Sequence, residues 1–142
     1  MLKTTSQLIS FHGKLEDSLS TQLKSLADRH PDLSEKLYEL AEENTRHKEM
    51  VQRVYREGVT DAFEVGFLTN PLNEDEYIIN LLEGNIEKAV KKAIENEDTA
   101  IRFCRDAAER GSQLIPNLSQ TFKSLIKRKE RRKIVIENLL RN

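Results

Sequence analysis

The sequence predicts an all-α protein: an antiparallel four-helix bundle made of two helical hairpins that a long crossover joins. Three observations predict it. Charged residues make up 33% of the 142, Gly and Pro number only five and three, and Trp is absent. That composition suits amphipathic helices better than β-structure. The prolines Pro31, Pro71 and Pro116 fall between periodic segments, since a helix interior would not tolerate them. Within the segments, apolar residues recur at spacings of three and four, which gives each helix one apolar face. At this length residues 1–142 are expected to form one domain, large enough to bury a core without disulfides.

The first helix is expected over about 6–27, on Leu8, Leu15, Leu19, Leu23 and Leu26. Gly13 weakens it by about 1 kcal/mol relative to Ala. The second is expected over about 33–57, with Asp32 and Glu35 as a capping pair and Gly58 as its stop. Its stripe is Leu33, Leu37, Leu40, Ala41, Asn44, His47, Lys48, Val51, Val54 and Tyr55. A crossover over about 58–84 carries Phe63, Val65, Phe67, Leu68, Tyr77, Ile78, Ile79, Leu81 and Leu82. It is too apolar for a flexible linker and is expected to form one or two short helices packed on the bundle. The third helix, about 85–110, starts at the good N-cap Asn85 and stops at Gly111. Its stripe includes Ala89, Val90, Ala93, Glu97, Ala100, Ile101 and Cys104. The fourth, about 117–140, starts at Asn117 with Gln120 as capping partner. Its stripe reads Phe122, Leu125, Ile126, Glu130, Lys133, Ile136 and Leu140. Short loops within each hairpin make the paired helices antiparallel.

The net charge of −1 gives no global attraction to nucleic acid or an anionic membrane. The run Lys127-Arg128-Lys129-Glu130-Arg131-Arg132-Lys133 holds six basic residues in seven. On a helix those charges spread over every face, so neither nucleic acid nor membrane is expected as a partner. A single Cys, Cys104, excludes an intramolecular disulfide and fits a reducing compartment; on its apolar stripe it is read as a small core residue. The N-terminus has no apolar signal core, and no stretch approaches the ~18 apolar residues of a membrane span. A cytoplasmic location is the expectation. No Gly-rich phosphate loop or Ser/His/Asp constellation is visible.

The chemistry lies in polar residues set within the apolar stripes. Glu16, Asn44 with His47, Glu97, and Glu130 with Lys133 each fall at mid-helix, one set per helix. Buried ionisable groups cost several kcal/mol unless paired or metal-bound, so the four sets are expected to meet at one level of the core. A doubled pattern of Glu followed by Glu-x-x-His is the ligand set of a di-metal carboxylate bundle. Carboxylates bridge two ions, and a His three residues after a Glu projects from the same face. Here Asn44 stands where a Glu is expected and Lys133 where a His is expected. His12, one turn before Glu16, is read as a surface or half-buried residue, and His47 either as a ligand or as a hydrogen-bonded core histidine.

The segments Leu40-Ala41-Glu42-Glu43-Asn44-x-x-His47 and 93–103 resemble the rubrerythrin-like branch of the ferritin-like superfamily, over roughly residues 6–140. The resemblance implies a ferritin-like bundle, iron-dependent oxidoreductase chemistry on O2 or peroxide or iron handling, and a homodimer. It carries Glu16, His47, Glu97 and Glu130 onto metal-ligand positions, with Asn44 and Lys133 as departures. No Cys-x-x-Cys pair is present, so the rubredoxin-type centre of the long rubrerythrins is missing. Two function classes follow. One is a metalloprotein with a reduced site holding at most one iron, manganese or zinc ion. The alternative is a metal-free bundle that acts as a structural or partner-binding module.

Overall fold

Thr4 opens the first helix. Its hydroxyl accepts the Gln7 backbone N–H at 3.1 Å, while the Gln7 side chain accepts the Thr4 N–H at 3.3 Å. This reciprocal capping box satisfies two orphan donors. In the computed structural model, which describes residues 1–59, 66–110 and 115–141, it starts α1 (Thr5–Arg29). Helix α2 (Ser34–Gly58) starts without a side-chain cap, so the expected Asp32–Glu35 pair is not made. Helix α3 (Ile86–Arg110) is capped by Asn85, whose Oδ1 accepts the Lys88 N–H at 2.9 Å. Helix α4 (Pro116–Asn138) begins at Pro116 rather than Asn117. A proline is tolerated there because the first turn does not use its N–H.

Two apolar clusters show how the helices run. One joins the N-terminal half of α1 (Leu8, Leu15) to the C-terminal halves of α2 (Val51) and α3 (Phe103), and to the N-terminal half of α4 (Phe122). The other joins the opposite halves: Leu23, Leu37, Ala89 and Ile136. Only antiparallel neighbours give this pairing, so the molecule is an all-α four-helix bundle with a single long crossover. At one end α2 meets the start of α4 closely. A Cβ on Gly58 would come within 2.6 Å of Ile115 Cγ2, so any larger residue there would have to displace the Ile115 side chain.

The crossover differs from expectation. Among the described residues it contains no α-helix, but a strand β2 (Phe67–Leu72) and a 3-10 turn at Glu74–Glu76. Strand β2 pairs antiparallel with β1 (Leu2–Thr4), with Leu2 opposite Leu72 and Thr4 opposite Phe67. Pro71 bars a helix through this segment, and the N-terminal strand supplies its backbone with partners. Leu68, Leu72, Tyr77 and Leu82 are buried, so the crossover packs on the bundle. Further along, Asn96 of α3 clasps the Asn80 backbone, accepting its N–H at 2.8 Å and donating to its carbonyl at 3.0 Å. Phe63, Val65 and Gly111 lie outside the described residues.

Candidate functional site

Between the two apolar clusters lies a polar layer with a contribution from every helix. Glu16 of α1, Asn44 and His47 of α2, Glu97 of α3, and Lys129 and Arg132 of α4 are all buried. The structure therefore brings Glu16, Asn44, His47 and Glu97 together. It does not bring Glu130 and Lys133 to them. Their side chains are 52% and 29% exposed and meet each other at 3.8 Å, and Lys133 Nζ lies 2.6 Å from Asp98. The inward face of α4 is Leu118, Phe122, Leu125, Lys129, Arg132, Ile136 and Leu139; Phe122, Leu125 and Ile136 lie inward as expected, while the polar pair and the last residue fall one position before the expected Glu130, Lys133 and Leu140. The expectation followed ligand chemistry, which favours a Glu; the packing followed the unbroken alternation of four and three.

The layer is two ion pairs joined by an amide. Lys129 Nζ donates to Glu16 Oε1 at 2.9 Å. Arg132 holds Glu97 with two donors, Nε to Oε1 at 2.8 Å and Nη2 to Oε2 at 3.3 Å. Its Nη1 donates to the Leu40 carbonyl at 2.8 Å and to Glu43 at 2.7 Å, and Nη2 also donates to Asn44 Oδ1 at 2.8 Å. All five N–H donors of the guanidinium are thus used. Asn44 completes the link by donating Nδ2 to Glu16 Oε1 at 2.8 Å. A glutamate at 44 could accept from Arg132 but would repel Glu16; the amide does both jobs without charge.

The histidines complete the layer. Where a surface or half-buried place was expected, His12 is fully buried, stacked on Phe103 at 6.0 Å and edge-on to Phe122 at 5.4 Å. Its Nε2 lies 3.0 Å from Glu16 Oε2. Burial alone would raise the Glu16 carboxyl. The Lys129 ammonium and the His12 hydrogen bond overcome it and hold the group well below the usual carboxylate range. An ionised Glu16 only accepts, so His12 Nε2 carries the proton. His47 is pushed down to about 3 by burial and by the Lys129 charge, against the pull of Glu16. It is neutral near pH 7, and its 3.8 Å approach to Glu16 is no ion pair. Among the described residues, neither of its ring nitrogens, nor Nδ1 of His12, has a hydrogen-bond partner. Burial lifts the Cys104 thiol to about 12, so it is an inert core group.

The sequence profile of the family described as Rubrerythrin matches residues 18–132, more than half of the chain. The chain belongs to the rubrerythrin family. No curated protein and no solved structure shows a significant match. In this rubrerythrin-family chain the two inward pairs at a spacing of three are Asn44 with His47 and Lys129 with Arg132. Lys-x-x-Arg thus stands where the doubled pattern calls for Glu-x-x-His. Among the described residues, no three His, Cys, Asp or Glu side chains group to hold a metal ion. The donor set does not fit a di-metal centre. Both fully buried carboxylates are neutralised by fully buried cations, and two divalent ions would add four positive charges beside Lys129 and Arg132 with too little anionic charge to meet them.

Lys129 and Arg132 are the residues that ligand-based reading missed. Their signal was the heptad-like spacing of α4, in which they occupy the two positions between Leu125 and Ile136. Two of the six basic residues in the run 127–133 are therefore core groups, and the run is not a continuous surface patch.

Proposed function

We propose that this rubrerythrin-family bundle has exchanged its metal for an internal ion-pair layer and works as a metal-free module through its surface, binding a ligand or partner. The observation that carries the reading is Arg132, with all five donors spent on Glu97, Glu43, Asn44 and the Leu40 carbonyl. Such a group has no freedom to yield its place to a cation. The reading assigns no O2 or peroxide chemistry to the core, because its carboxylates are already committed to Lys129 and Arg132. It keeps a cytoplasmic location, in keeping with the unpaired Cys104. It also keeps a homodimer, in keeping with exposed Ile134, Val135 and Leu140 on the last turns; sedimentation as a monomer would remove that part.

The competing reading places one iron, manganese or zinc ion beside Glu16, His12 and His47. The unpaired ring nitrogens favour it; the Lys129 ammonium on Glu16 opposes it. Elemental analysis of protein purified without chelator and then incubated with Fe(II), Mn(II) or Zn(II) separates the two. The metal-free reading expects a sub-stoichiometric residue that Glu16→Ala does not change. One equivalent per chain, lost in Glu16→Ala, would overturn it.

A further inference from the structure

A groove of about 870 Å³ opens between α2 and α4, within the size range of small-molecule sites. Arg46, Arg53 and Arg56 line it from α2 and Arg128 from α4. Arg46, Arg56 and Arg128 have no carboxylate partner among the described residues, and Arg53 has only the exposed Glu57 at 3.5 Å. Of the two acids in the wall, Glu43 shares the single charge of Arg132 with Glu97, and Glu49 has no cationic partner among the described residues. Three guanidinium groups without a carboxylate partner among the described residues, and a fourth held only by Glu57, outnumber the two acids of the wall on a chain of net charge −1.

The floor points the same way. His47 lines the groove, is 0% exposed, and has no hydrogen-bond partner at either ring nitrogen among the described residues, with Nδ1 lying 3.8 Å from Glu16. A buried polar group with no hydrogen bond is costly, and a ligand would satisfy it once the side chains that cover the imidazole move aside. Met50 lines the wall beside it and offers an adaptable apolar surface.

We propose that this groove binds a small organic phosphate, its anionic oxygens held by Arg128 and the α2 arginines and its polar edge meeting His47. Guanidinium forks match phosphate oxygens two at a time, and the Met50 wall suits an organic portion. Inorganic anions would use only the charge; the bound species would use both. The arginines lie outside the ion-paired core, so their part of the inference does not depend on the metal question, whereas the contact with His47 rests on the metal-free reading.

Calorimetric titration of the full chain with ATP, pyrophosphate and citrate as probes tests it, at about 0.15 M salt where diffuse attraction is screened. Saturable one-to-one binding of ATP is expected, tighter than that of pyrophosphate or citrate. The exposed pair of changes Arg46→Gln and Arg128→Gln should weaken it at least about tenfold, the scale of one lost charge-assisted hydrogen bond. Removing two exposed cations elsewhere, Lys91→Gln and Arg105→Gln, should not. In the same samples the imidazole nitrogen resonances of His47 should move on saturation while those of His30 stay. Absence of saturable ATP binding, equal weakening by both pairs of changes, equal affinity for pyrophosphate, or an unmoved His47 signal would each overturn the proposal.

Discussion

Lys129 and Glu16 are the residue pair on which the core depends. Both are fully buried, and a buried pair loses far more when one partner goes than when both do. Lys129→Met should cost about 3–5 kcal/mol by leaving an uncompensated carboxylate. Adding Glu16→Gln to it should restore most of that stability, as urea unfolding of the two single variants and the double variant would show. The neighbouring His47 gives stability a pH dependence with a definite sign. Its folded value of about 3 lies below its ordinary 6.5, so the unfolded chain takes up protons that the folded chain refuses. That contribution is complete above about pH 6.5, and it is lost as pH falls toward 3. Glu16, also depressed, adds a loss below its ordinary 4.5. Unfolding free energies measured from pH 7 to 5 should fall by a kcal/mol or more in the parent, and distinctly less in His47→Gln.

At the scale of elements, α2 and α4 decide what the layer is. Helix α4 brings Lys129 and Arg132 inward because Leu118, Phe122, Leu125, Ile136 and Leu139 fix its register by burial. No polar preference at one position outweighs five buried apolar side chains. Changing the inward residues alone should therefore change the chemistry without turning the helix. Asn44→Glu, Lys129→Glu and Arg132→His together should bind close to two Co(II) ions per chain, read from the visible absorption of the bound cobalt. Asn44→Glu with Lys133→His should not, since position 133 lies on the outer side beside Asp98. The sequence made three of these placements legible: Glu16, the pair Asn44 and His47, and Glu97 sit in stripes that no alternative register competes for. It obscured the fourth because the run 127–133 offers an ionisable residue at every position, so only the apolar residues on either side carry the phase. His12 was obscured for a related reason: its burial is made by Phe103 and Phe122 from other helices.

At the scale of the whole molecule, periodicity and proline placement were enough for four helices and one crossover, because each is a local property of the chain. The β1–β2 ladder was not, because Leu2 and Leu72 pair across a long stretch of sequence and a segment of three residues carries no strand signal of its own. On the proposed reading, this rubrerythrin-family bundle is held at its centre by protein charges in the place of metal charges. Crystals grown with Mn(II), with anomalous scattering collected at a wavelength where manganese contributes, test that most directly. The account predicts Lys129 Nζ within hydrogen-bond distance of Glu16, Arg132 forked on Glu97, and no anomalous peak between Glu16 and His47. An anomalous peak there, with Lys129 swung out of the core, would contradict it.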